Sequence, residues 1–131
     1  MPSAQLPATA NSILAIPFSF AGVLTPGLLS MRFPLTGQWT FRHVSIVCVG
    51  RPTGSEVVLD VLYNARSIYG SPADRPRVLA GHHEGTSVRP PVVNDFQGTP
   101  ANPGVFACDI ARVGSDNPGG DLTLALYLTS V

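Results

Sequence analysis

His82-His83-Glu84 is the one compact run of metal-ligating side chains in this chain of 131 residues. Adjacent side chains on an extended backbone point to opposite sides, so the two imidazoles do not converge on one ion. No zinc-type ligand spacing surrounds them. Asp116, Asn117 and Asp121 set oxygen ligands in a Gly-rich turn, a loose calcium-like arrangement, but a turn needs Asp, Asn and Gly without any ion. His43 combines on paper with several Ser and Asp residues into a triad, yet no Ser sits in a nucleophile elbow. Asp60 and Asp109 fall on strand faces turned from the expected core, as solvated groups or partners of Arg rather than an acid–base pair. No glycine run has the phosphate-cradling G-x-x-x-x-G-K pattern. The expectation is a protein that is not an enzyme, with no cofactor and no metal.

The elements that carry these residues read as strands. Phe106, Cys108 and Ile110 share one parity of residues 105–113, and Leu122, Leu124, Leu126 and Leu128 share one parity of 121–128. Such period-2 alternation marks half-buried antiparallel strands. Residues 12–20 form a first strand, with Ile13 and Phe18 inward. Residues 22–27 turn the chain and 28–33 extend it again. In 37–50 the inward parity changes from Trp39 and Phe41 to Val44, Ile46 and Cys48, which predicts a β-bulge at Arg42-His43. Arg51-Pro52-Thr53-Gly54 reads as a hairpin turn into 56–63, where Val57, Leu59, Val61 and Tyr63 share a face. Short strands follow around Ile68-Tyr69 and over 75–79. From 81 to 104 strand signals are weak, with Val88, Val93 or Phe96 as inward anchors; loops of that length in a compact domain are often functional. The count is about eight strands with no helical period, the pattern of an all-β, single antiparallel β-sandwich or barrel. Residues 1–11, with two Pro and no period, form an N-terminal arm, and 12–131 form the domain.

Composition narrows the function classes. The chain has eight basic and eight acidic residues, and charged residues are 12% of it. All eight basic residues are Arg, and they make no stripe of the kind that binds nucleic acid; Asp74 dilutes Arg75 and Arg77. A chain this poor in charge is weakly protected from self-association, as fits a protein whose surface is covered in an assembly. No apolar run is long enough for a membrane span, and the N-terminus lacks a basic n-region, so synthesis in the cytoplasm without an export signal is expected. Cys48 and Cys108 are then expected as buried thiols rather than a disulfide. Val58 and Leu62, with Val47 and Val49, place apolar groups opposite the expected core. They are either a protein interface or a surface covered by a loop or second sheet.

Several stretches resemble a family of small β-sandwich proteins on the virion surface of tailed bacteriophages, of the head-decoration or head-fibre type. These are Phe18-Ser19-Phe20-Ala21-Gly22-Val23-Leu24, Trp39-Thr40-Phe41, and Val49-Gly50-Arg51-Pro52-Thr53-Gly54-Ser55 leading into Val57-Val58-Leu59-Asp60-Val61. Asn64, Ser67-Ile68-Tyr69 and Arg75-Pro76-Arg77-Val78 are similar to an N-G-x-x-I…R-P-x-I stretch, with Ala65 in place of the usual glycine. Asp109 to Ser115 with Pro118-Gly119-Gly120-Asp121-Leu122-Thr123-Leu124 resembles D-x-x-x-V-G-S-x-x-P-G-x-D-L-T-V. The resemblance spans over four-fifths of the chain in turn and strand motifs, which specify a fold more than an attachment site. It implies a jelly-roll-like sandwich that assembles as an oligomer, commonly a homotrimer, on the major capsid protein and stabilises the mature shell. The localisation it implies is the virion, with no nucleic-acid or membrane partner. Leu6 in the arm, with Trp39, Arg42, Val58, Leu62 and Arg66, are the candidate capsid or subunit contacts, chosen by residue type. The alternative is a receptor- or glycan-binding module of a head fibre or tail, which needs an exposed aromatic platform; Tyr63, Tyr69 and Tyr127 are the candidates.

Overall fold

A computed structural model describes residues 12–131, so the expected arm, with Leu6, lies outside the described residues. The elements are β1 (Ile13–Val23), β2 (Gly27–Leu28), β3 (Phe33–Leu35), β4 (Gly37–Gly50), β5 (Val57–Tyr63), β6 (Arg66–Ser67), a 3-10 turn (Pro72–Asp74), β7 (Pro76–Val78), β8 (Glu84–Ser87), β9 (Asp95–Gly98), β10 (Gly104–Arg112) and β11 (Gly120–Ser130). The described residues thus form eleven strands where about eight were expected. The surplus comes from pieces of two to four residues, such as β2, β6, β8 and β9, too short to show an alternation.

Every pairing is antiparallel, and the strands curl into a half-barrel. One wall is β1–β11–β4, extended by β9. The other is β7–β5–β10, flanked by β6, β2 and β3. β8 joins them, because Glu84 and Gly85 pair with β4 while Thr86 and Ser87 pair with β7. The alternating residues meet between the walls: Phe18, Ile46, Leu124 and Leu126 from the first, Leu59, Val61, Phe106 and Ile110 from the second, all buried. Burying each of these side chains stabilises the fold by roughly 1.5–3 kcal/mol. Phe96, Phe106 and Tyr63 add a ring cluster with all centroids 4.9 Å apart.

The parity change in β4 is the expected bulge. Tyr127 pairs with His43 and Leu128 with Phe41, leaving Arg42 as the extra residue. Both cysteines are free thiols in the core, where burial pushes Cys48 up to about 11 and Cys108 up to about 12.

Residues 51–56 do not make a hairpin. β4 and β5 belong to opposite walls, so this segment crosses the barrel, as does the segment joining β10 to β11. The two crossings bind each other. Thr53 N–H donates to Asn117 O at 3.0 Å, Asp116 N–H to Thr53 O at 3.0 Å, and Asn117 N–H to Thr53 Oγ1 at 3.0 Å. Ser55 Oγ donates to Val113 O at 3.1 Å. Gly54 sits at φ +83°, and a Cβ there would strike Ser115 and Asp116, so glycine is required. A Pro-Thr-Gly turn suits a hairpin or a crossing equally, and the long-range lock selects the crossing.

One expected inward residue is placed differently from the sequence reading. Ile13 is 72% exposed, because the inward parity of β1 belongs to Ile16 and Phe18. Val88 and Val93 are exposed, and Phe96 alone anchors the 81–104 stretch inward from that set. Residues 28–33 split into the end of β2 and the start of β3 rather than extending as one strand. At the β5–β6 turn, Asn64 (φ 52°) and Ala65 (φ 68°) form a two-residue left-handed hairpin, so the glycine position is kept with alanine in it.

Candidate functional site

The outer face of β1–β11–β4 is the most unusual surface of the molecule. Register places its outward residues in rows: Ala15–Tyr127–His43, Pro17–Ala125–Ser45 and Ser19–Thr123–Val47. Val49, 66% exposed, and Ile13 extend the apolar part of this face. Across all three strands the only Asp, Glu, Lys or Arg residues are Arg42, at the bulge, and Asp121, at one end. Asp121 Oδ1 is engaged locally, accepting from Gly22 N–H at 2.8 Å. His43 and Tyr127 stack with centroids 6.2 Å apart. The face is small-chained, carrying hydroxyls, methyls and one ring pair.

Among the described residues β1 ends the strand order, and no strand pairs with its far edge. Such an edge is a template for another strand unless something interrupts it. Pro17, in mid-strand, has no N–H to offer, and Ser19 N–H points at Met31 Sδ, 3.5 Å away. Continuous backbone pairing along this edge is therefore broken. At about 4.8 Å between strands and about 3.3 Å per residue, the face measures about 500 Å².

The outer face of β5–β10 is the opposite kind of surface. Val58 is only 7% exposed and Asp60 only 4%, so of the alternatives open in the sequence Val58 takes the covered one and Asp60 the pairing with Arg. Residues 72–77 cover this side, and Val58 lines one cleft with Pro72, Ala73, Arg75 and Arg77. Asp60 accepts from Ser67 Oγ at 2.6 Å and pairs with Arg75 Nη2 at 3.3 Å. Burial is the largest influence on its carboxyl and raises its pKa, aided by Asp109 directly opposite on β10; Ser67 and Arg75 oppose the rise. Arg77 pairs with Glu56 at 2.8 Å. The apolar set Val47, Val49, Val58 and Leu62 is thus divided: the first two lie on the open wall, the other two on the covered one.

The remaining candidates are scattered. Trp39 is half-buried, its indole N–H donating to Thr36 O at 2.8 Å. It borders an open cleft of about 400 Å³ with Gln38, Thr40, Asp95, Gln97 and Val131. Arg66 is exposed at the β5–β6 hairpin, Leu62 is half-buried, and Arg42 is exposed on the open wall. His83 is occupied by protein: its Nδ1 bonds Cys48 O at 3.0 Å, and its Nε2 accepts from Arg51 Nε at 2.8 Å. Among the described residues no three His, Cys, Asp or Glu side chains group to hold a metal ion. The sequence reading missed Thr123, Ala125 and Ser45, and named Tyr127 only as a candidate for an aromatic platform. Their signal was the uncharged outward parity, visible once the leucines of β11 define inward.

Set against protein-family models and against curated proteins, the chain matches none. The class that fold and site define is an all-β antiparallel half-barrel with one charge-poor face that no other described residue covers.

Proposed function

We propose that this chain is a non-enzymatic structural protein that works by burying the β1–β11–β4 face against neighbouring protein in an assembly. The observation that carries the reading is that face: three long strands with charge only at a bulge and one end. Charge is what keeps a soluble surface from self-association, and its scarcity over three long strands suits a permanent contact. Such a face covered by an equal area of a neighbour buries about 1,000 Å² in all, at the lower limit for a specific interface. One contact of that size is weak, and a closed oligomer or repeated lattice multiplies it.

The turn and strand motifs supply the setting. On their resemblance, the chain is a jelly-roll-like β-sandwich of the head-decoration type. It assembles, as a trimer, on the major capsid protein of a tailed bacteriophage and staples neighbouring subunits. Protein that binds the expanded shell and not the free subunits favours the mature state by mass action. The test is co-sedimentation of purified protein with expanded shells of the major capsid protein from the same genome. Saturable binding at a fixed ratio to capsid subunits is expected; protein left in the supernatant at every concentration overturns the capsid assignment.

The cleft beside Trp39 favours a second reading, a glycan-binding module of a fibre or tail. It gathers an aromatic residue, amides and a carboxylate, the mix that orients a polar ligand. A glycan-array signal lost in Trp39→Ala would carry that reading in place of the first.

A further inference from the structure

The geometry points to an oxyanion site on the other wall, in the cleft of about 310 Å³ lined by Arg75, Arg77 and Arg112. Its ligand class is a phosphate or a carboxylate. Three of the chain's eight arginines meet there from separate elements: the residue after the 3-10 turn, β7 and the end of β10. No acidic residue lines the cleft; its other walls are Val58, Pro72, Ala73 and Ala111.

A bulge builds the site. Ile110 pairs with Leu59 and Arg112 with Val58, so Ala111 is an extra residue in β10. Without it, Arg112 would take the inward parity of Phe106, Cys108 and Ile110. With it, Arg112 stands opposite Val58 on the outer face, and bulges are a recurrent means of re-aiming a side chain.

The three guanidinium groups are unequally neutralised. Arg77 is fixed: Nη1 pairs with Glu56 at 2.8 Å, Nη2 donates to Pro72 O at 2.8 Å, and Nε donates to Arg75 O at 3.2 Å. Arg75 meets Asp60 through Nη2 at 3.3 Å, while its Nε is buried with no hydrogen-bond partner among the described residues. Arg112 makes no ion pair among the described residues and is exposed. A forked donor beside two anchored ones suits a planar or tetrahedral oxyanion, which Arg binds through paired N–H groups. The site lies on the opposite wall from the proposed assembly face, so its success or failure is independent of that reading.

The test is a titration with inorganic phosphate at constant ionic strength, chloride being the replaced ion. It is followed by the arginine Nε–H NMR signals and by thermal unfolding, in wild type and Arg112→Gln. Arg112 is exposed, so the variant folds. Expected are a saturable shift of the Arg112 and Arg75 signals and, at tenfold excess over Kd, a melting rise of about 5 °C. Arg112→Gln should keep only the general effect of phosphate as an excluded salt. Competition by acetate would assign the site to a carboxylate, such as an acidic side chain of a partner. Acetate without effect would assign it to phosphate. Shifts that never saturate, or an equal melting rise in Arg112→Gln, overturn the site.

Discussion

The outer faces of the two walls are built from the same alternating pattern and finished in different ways. On β5–β10 the chain covers itself: residues 72–77 lie over Val58, and Asp60, Arg75, Glu56 and Arg77 neutralise one another beneath and beside them. On β1–β11–β4 nothing among the described residues lies over the rows centred on Thr123, Ala125 and Tyr127, and no ion pairs are needed because almost no charge is present. Ion pairs belong where burial is internal and register must be exact. Uncharged small residues suit a face proposed to be buried by another molecule, since an unpaired charge would resist desolvation there.

The largest expected effect breaks the covered side. Asp60→Ala removes the partner of both Ser67 and Arg75 and leaves a largely buried guanidinium uncompensated, which should lower stability by about 2 kcal/mol in urea unfolding. A change within 0.5 kcal/mol would show that the pair is idle. On the open side, Thr123→Arg should leave folding stability within about 0.5 kcal/mol of wild type when both are diluted to monomer, because the side chain points to solvent there. A loss of several kcal/mol would mean that the face is already buried within the monomer.

A smaller effect sharpens the same contrast. The covered wall carries strain at Ala65, whose φ of 68° is a left-handed conformation that alanine tolerates poorly. Ala65→Gly should therefore stabilise the protein by about 0.5–1 kcal/mol, read as a higher urea midpoint with an unchanged slope. The smallest effect is in pH. Because burial raises the Asp60 pKa in the fold, the native carboxyl takes its proton before the unfolded one does. Protonation of this group thus favours the fold: its contribution improves as pH falls through the native value toward 3.8 and is constant below. A carbon-13 titration of the Asp60 carboxyl should show a midpoint above 3.8, and a midpoint at or below that value contradicts the buried environment.

Much of the barrel was legible because long strands repeat their parity. β10 and β11 announce their inward faces through Phe106, Cys108 and Ile110 and through four alternating leucines, and the switch between Phe41 and Val44 locates the bulge of β4. What was not legible depends on residues far apart in the chain. Whether residues 51–56 turn back or cross is decided by Asn117, more than sixty residues later. Val58 and Asp60 look outward by parity and are buried because a turn some fifteen residues on folds over them. β8 is Glu-Gly-Thr-Ser, with no apolar residue to alternate, yet it joins the two walls. Among the candidate contacts, Trp39 and Arg66 were chosen for residue type, and neither stands in the rows of the open face. Arg112 had a local signal, an arginine on the inward parity of β10, which only a bulge can relieve.

The most direct test of the central claim is the native mass of purified protein by light scattering across a concentration series, for wild type, Thr123→Arg and Ala73→Arg. The account predicts wild type near three times 13.8 kDa, the same mass for Ala73→Arg on the covered side, and dissociation for Thr123→Arg. A wild type that stays at 13.8 kDa throughout, or a Thr123→Arg variant that keeps the wild-type mass, would contradict it.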